Sequence, residues 1–179
     1  MSTSRKGSSQ SDEEQKNRVR EFERLLGRED IRLSCREMKE VLSGRSGKEG
    51  MHSDPLLLDV REDWEYRYVR FPGAIHIPLS RLPESLDKIP SDRIVVVYCH
   101  TGIRSLLACY LLQQNGFEKV RNLEGGIDEY ARTIEPALPQ YRLENGRRPP
   151  ETVLAENARG QVKGDHNPWG EGVSVRIPL

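Results

Sequence analysis

The sequence predicts an α/β fold with a parallel sheet, and three observations carry that reading. Two unbroken apolar runs, Leu56-Leu57-Leu58 and Val95-Val96-Val97, lead into Asp59 and Cys99 respectively. Such runs suit strands buried on both faces, because a half-exposed strand would alternate polar and apolar residues. Helical patterns stand between the candidate strands, and strand–helix–strand succession closes through right-handed crossovers into a parallel sheet. Functional loops in such sheets lie beyond the carboxyl ends of the strands, where Asp59 and Cys99 both stand.

Taken in order, residues 1–11 are Ser-rich and polar, which predicts a disordered tail. Residues 12–30 read as an N-terminal helical extension, capped by Ser11 and stopped at Gly27. Its apolar stripe of Val19, Phe22, Leu25 and Leu26 either packs on the domain or meets a partner. Ile31-Arg32-Leu33 reads as a short strand, and Ser34 with Glu37 as a capping box for a helix carrying Met38, Val41 and Leu42. Gly44 ends that helix, and residues 43–54 read as a loop or insertion, too polar to have a core of their own.

Residues 56–60 form the first buried strand, followed by a short helical turn at 61–66, a turn at Phe71-Pro72-Gly73-Ala74 and a short strand closed by Pro78. Residues 82–89 read as an amphipathic helix with Pro83 in its first turn. Residues 93–98 give the second buried strand. The helix at 104–115 carries Leu106, Leu107, Tyr110 and Leu111, and Gly116 sits at its end. A strand at 120–123, a turn at Gly125-Gly126 and a helix at 127–134 complete the unit. From Pro136 onward, six prolines and five glycines argue against a packed core. The domain is therefore expected to occupy 31–141, with a largely irregular C-terminal extension at 142–179. The alternation in Val173-Ser174-Val175-Arg176-Ile177 fits either an added sheet edge or a frayed tail.

Charge narrows the function. Lys and Arg number 28, as do Asp and Glu, and no part of the chain carries the basic excess of a nucleic-acid or membrane-surface binder. Cys35, Cys99 and Cys109 are odd in number and lack Cys-x-x-Cys spacing, which fits a reducing compartment better than a disulfide framework or zinc site. His52, His76 and His166 show no ligand spacing, so no metal is expected. There is no secretory pattern and no apolar stretch of membrane-spanning length, which predicts a soluble cytoplasmic protein.

The chemistry centres on Cys99-His100-Thr101-Gly102-Ile103-Arg104. A thiol at a strand end, facing the start of a helix, meets backbone N–H groups and the positive helix terminus, which favour its thiolate. Gly102 lets the loop turn tightly. His100 either adds charge and takes up a proton near neutral pH or points to solvent. Cys109 belongs in or near the core. Cys35, at a helix start, is a weaker candidate for a relay thiol.

Four motifs then match a family in order and spacing: Leu58-Asp59-Val60-Arg61-Glu62, Pro72-Gly73-Ala74-Ile75-His76-Ile77-Pro78, Tyr98-Cys99-His100-Thr101-Gly102-Ile103-Arg104-Ser105 and Asn122-Leu123-Glu124-Gly125-Gly126. Over about residues 31–134 the chain resembles the rhodanese (sulfurtransferase) family. The resemblance implies a rhodanese-like, doubly wound, five-stranded parallel sheet flanked by helices, with Cys99 as the nucleophile that carries persulfide. It makes Arg104, His100, Thr101, Gly102 and Ile103 the substrate-binding loop. Arg61 stands either at its rim or in an ion pair with Asp59 or Glu62. The implied donor is thiosulfate or a persulfide, the acceptor cyanide or a thiol, with no cofactor; a sulfur-relay protein is the alternative partner. Pro139-Gln140-Tyr141 is similar to the end of the rhodanese module attached to molybdopterin-synthase and thiocarboxylate-activating enzymes. One departure is Val69-Arg70-Phe71-Pro72, where many members have Gly-His before the turn. Cys99 to Arg104 is Cys-x4-Arg, one residue shorter than the Cys-x5-Arg loop of the related cell-cycle phosphatases and arsenate reductases, so the count favours sulfur over phosphate.

Overall fold

The computed structural model describes residues 16–17, 19–21, 23–24, 27–44, 55–143 and 147–154. The expected tail at 1–11, the loop at 45–54, Phe22, Leu25, Leu26, His52, His166 and the alternating segment after Val173 lie outside those residues. The elements are β1 (Arg32–Leu33), α1 (Cys35–Leu42), β2 (Leu56–Asp59), α2 (Asp63–Tyr68), β3 (Ile75–His76), β4 (Val95–Tyr98), α3 (Ile103–Gln114), β5 (Val120–Leu123) and α4 (Gly126–Thr133). The five strands form one sheet in the order β1-β5-β4-β2-β3, every pairing parallel.

Strand alternation divides the core in two. Leu57, Val96, Tyr98 and Leu123 face Met38 of α1, Tyr68 of α2 and Ile127, Tyr130 and Ala131 of α4. Leu56, Leu58, Val95, Val97 and Val120 face Ala108, Cys109 and Leu112 of α3. Each fully buried side chain of this size contributes about 1.5–3 kcal/mol, so both faces need a helical cover. That is why the apolar runs are unbroken. β4 lies between β2 and β5, buried throughout, and presents its carboxyl end at the middle of the sheet edge. The capping box at α1 forms as the sequence predicts: Ser34 N–H donates to Glu37 Oε2 at 2.8 Å and Glu37 N–H to Ser34 Oγ at 3.3 Å.

Two expectations change. Residues 82–89 do not form an α-helix; the segment folds as two 3-10 turns, Leu79–Glu84 and Leu86–Lys88, broken at Ser85. The helical turns begin at Leu79, so Pro83 falls inside the segment, where it has no N–H for an α-helical bond. Nor does packing stop at Pro136. Leu138, Tyr141 and Leu154 all enter the core on the α1, α2 and α4 side, where Tyr68 donates its hydroxyl to Leu154 O at 3.1 Å.

The described residues between 16 and 24 are helical. Val19 is exposed there, and the Tyr110 hydroxyl donates to Glu21 Oε2 at 3.1 Å. No helix among the described residues is long and apolar enough to cross a membrane.

Candidate functional site

Residues 99–104 arch from the end of β4 to the first turn of α3. Gly102 sits at φ +90°, and its N–H donates to Cys99 Sγ at 3.1 Å. Ser105 Oγ donates to the same sulfur at 3.4 Å. A Cβ on Gly102 would stand 3.1 Å from Gly125 N and 3.2 Å from Leu123 O, so both the conformation and the close approach call for glycine. Donors aimed at Sγ from a helix start stabilise negative charge on it. Cys99 is 1% exposed, so a reagent must present a small, unhindered atom to reach it.

The loop is held from behind by α4, whose Ile127 and Asp128 N–H groups donate to Cys99 O and His100 O, each at 3.0 Å. Gly126, at φ +61°, makes this possible: a Cβ there would lie 2.3 Å from His100 O and 2.5 Å from Cys99 O. The Gly-Gly pair after β5 reads in sequence as a turn. Its structural role is to admit the backbone of the sulfur loop.

Arg104 does reach the site, but as half of a two-pronged ion pair. Its Nη1 and Nη2 donate to Glu65 Oε2 and Oε1 at 2.7 and 2.8 Å. The arginine side chain is 29% exposed and the glutamate 1%. Glu65 also accepts from the Tyr141 hydroxyl at 2.7 Å and from Glu62 N–H at 2.9 Å. Burial alone would raise its pKa, yet the bonds from Arg104, Tyr141 and Glu62 outweigh burial and hold it at about 2.

Arg61 is corrected. It is not at the rim but fully buried beneath the loop, with Nε 2.9 Å from Asp59 Oδ1 and Nη2 2.6 Å from Asp59 Oδ2. Its remaining donors go to Val69 O at 2.5 Å and Tyr141 Oη at 3.0 Å. A guanidinium so enclosed cannot touch a donor molecule. The Val69 and Phe71 departure has a clear place here: Val69 supplies that carbonyl, and Phe71 packs edge-on against Tyr98 and Tyr130 at 4.7 and 5.0 Å.

The His100 ring stacks on Tyr141, centroids 4.3 Å apart, instead of pointing to solvent. Burial lowers its pKa, and Nε2 lies 3.7 Å from Asp128 Oδ1 without a hydrogen-bond partner. It therefore offers the loop a ring face and no positive charge at neutral pH. Thr101 is exposed and Ile103 is 74% exposed, which places both on the outer rim, whereas Gly102 is buried.

Sequence alone does not single out Glu65 or Tyr141. Tyr141 joins the two ion pairs through its hydroxyl, and its ring also meets Trp64 and Tyr68 edge-on at 5.1 and 5.8 Å. The only sequence signal for it is the short motif that ends in Tyr141. Cys109 is buried, which pushes its thiol pKa up. The Cys35 thiol is likewise raised by burial and donates to Glu124 O at 3.6 Å. Among the described residues no His, Cys, Asp and Glu cluster is suited to a metal ion.

The model of the rhodanese-like domain matches residues 39–133. A sulfurtransferase of Allochromatium vinosum is 43% identical over 79 residues, covering 44% of this chain and 74% of that protein. A tRNA uridine(34) hydroxylase of Escherichia fergusonii is 41% identical over 93 residues, covering 48% of this chain but only 27% of the hydroxylase. Among solved structures, reduced Bacillus anthracis CoADR-RHD aligns with a TM-score of 0.50 at 27% identity, over 59% of this chain and 17% of that one.

Proposed function

This chain belongs to the rhodanese-like domain family, and we propose that it moves sulfane sulfur from thiosulfate or a persulfide to a thiophilic acceptor through a persulfide on Cys99. The observation that carries this reading is the Gly102 N–H aimed at Cys99 Sγ from 3.1 Å. The Cys99 thiolate attacks the outer sulfur of thiosulfate; a new S–S bond forms, the old one breaks, and sulfite leaves with the electron pair. Cyanide or a thiolate then takes the outer sulfur and returns Cys99 as thiolate. This is covalent catalysis in two half-reactions. The Gly102 N–H and Ser105 hydroxyl that reach Cys99 Sγ would serve the outer sulfur of a persulfide anion in the same way. The six-residue loop from Cys99 to Arg104 supports sulfur over a phosphate-sized oxyanion.

Intact-mass measurement tests the proposal. Thiosulfate or a small persulfide should add one sulfur atom to the wild type and none to Cys99→Ser, and cyanide should release it as thiocyanate. No mass gain from any donor would overturn the reading.

A second reading, a persulfide carrier between proteins, is favoured by one observation. Ile103 and Leu107, one turn apart on α3 beside the loop, are 74% and 40% exposed. Fast loading from a cysteine desulfurase alongside slow thiosulfate turnover would be its mark.

A further inference from the structure

We propose that Glu65 is a specificity-determining residue of the Cys99 loop: its carboxylate takes up the charge of Arg104, and the loop therefore draws sulfur from thiol-borne persulfides in preference to the thiosulfate dianion. This rests on the sulfur-transfer reading above and narrows its donor.

The argument is one of charge. Both arginines that the sequence offers to an anionic donor are matched by a carboxylate, Arg61 by Asp59 and Arg104 by Glu65. An exposed ion pair opens readily for a competing ligand. The outer pair is different, because Glu65 is 1% exposed and holds four hydrogen bonds, from Arg104 twice, Tyr141 and Glu62. Drawing Arg104 away would leave a buried carboxylate without its cation. The pair thus enters any donor complex intact and nearly neutral. On the other flank Asp128 lies near a His100 ring that is neutral at pH 7, so that side adds no cation either.

What remains for a donor is the Gly102 N–H and the Ser105 hydroxyl, both aimed at Sγ. These suit one anionic sulfur, not the two charges of thiosulfate. A persulfide carries at most one negative charge on its sulfurs, against two on thiosulfate, and reacts as R–S–SH: the Cys99 thiolate attacks the outer sulfur, the new S–S bond forms, the donor's own S–S bond breaks, and R–S⁻ leaves, taking the proton as R–SH. Cys99 is left as the persulfide anion that the loop stabilises.

The test compares kcat/KM for thiosulfate with that for cysteine persulfide in wild type, Glu65→Gln, Glu65→Asp and the double variant E65Q/R104Q, with thermal unfolding to confirm folding. Freeing the Arg104 charge in Glu65→Gln should raise the thiosulfate-to-persulfide ratio about tenfold, chiefly through KM. Glu65→Asp keeps the carboxylate and should return the ratio to that of the wild type. The double variant again presents a neutral pair, so its ratio should fall within about twofold of wild type. A parallel loss with both donors in Glu65→Gln, or a selective loss of thiosulfate in the double variant, would overturn the proposal, the second because Arg104 would then be the anion's own ligand. Wild type alone supplies a further measure. Its thiosulfate kcat/KM should change by less than about twofold from low to high salt, whereas an uncompensated cation would make it fall severalfold. Failure of every donor to load Cys99 would instead defeat the sulfur-transfer reading.

Discussion

Asp59 with Arg61 and Glu65 with Arg104 are the same chemical pair set at two depths of one site. The inner pair, beyond the end of β2, is wholly buried on both sides. The outer pair buries only its acid and leaves the arginine 29% exposed. The Tyr141 hydroxyl touches both, accepting from Arg61 and donating to Glu65. Depth decides what each can do. Buried charges demand full satisfaction, so the inner arginine spends its donors on Asp59, Val69 and Tyr141 and becomes part of the floor. The outer arginine is fixed at its head by Glu65 but still borders the loop, where its charge balance bears on what approaches Cys99.

Breaking the inner pair should have the largest effect. Arg61→Met keeps much of the side-chain volume but strands the Asp59 carboxylate where no water reaches it, and the expected loss of stability is about 3–5 kcal/mol. Urea unfolding of the variant against wild type measures it. A change below about 1 kcal/mol would mean that the buried pair is no keystone, and that the contrast in depth carries little energy.

The outer pair can be broken by acid. Glu65 has its folded pKa held at about 2 against an ordinary 4.5. A depressed carboxylate contributes stability above its unfolded pKa and loses it as pH falls through the folded value. The Glu65 contribution should therefore be whole above about pH 4.5 and fade toward pH 2, amounting to about 2–3 kcal/mol. Unfolding free energies of wild type and Glu65→Gln should lie that far apart at neutral pH and converge across this window. Curves that stay parallel would show that the Glu65 charge is not what the pair depends on.

This contrast is nearly invisible in the chain, and the reason is distance along it. Strands β2 and β4 announce themselves because an apolar run is a local signal, and so is the Ser34 and Glu37 capping box. Cys99 is legible because a thiol between a β-branched run and a glycine-containing loop is a local arrangement. Arg61 has acidic neighbours on both sides, at Asp59 and Glu62, and only burial reveals which one holds it. Arg104 meets a partner 39 residues away, and Tyr141 reaches back 76 to Glu65 and 80 to Arg61. No periodicity encodes such contacts. Leu154 is hidden for a related reason, since a segment rich in glycine and proline can still lend one side chain to a core. Residues 82–89 carry a helix-like apolar spacing, but Pro83 decides the local structure and the segment folds as 3-10 turns at 79–84 and 86–88.

The smallest effect, and the sharpest for the comparison, belongs to the hydroxyl between the pairs. Tyr141→Phe keeps the ring that stacks on His100 and meets Trp64 and Tyr68, so packing should survive. It removes one acceptor from Arg61 and one donor from Glu65, yet leaves Arg61 its bonds to Asp59 and Val69 and Glu65 its bonds from Arg104 and Glu62. Neither charge is stranded, so the expected loss is about 1–2 kcal/mol, below that of Arg61→Met. If the hydroxyl couples the pairs, the combined loss in the double variant of Tyr141→Phe with Glu65→Gln should differ from the sum of the single losses by about 0.5 kcal/mol or more. Simple additivity would mean that the pairs share an atom without sharing energy, and that the floor and the mouth of the site respond independently.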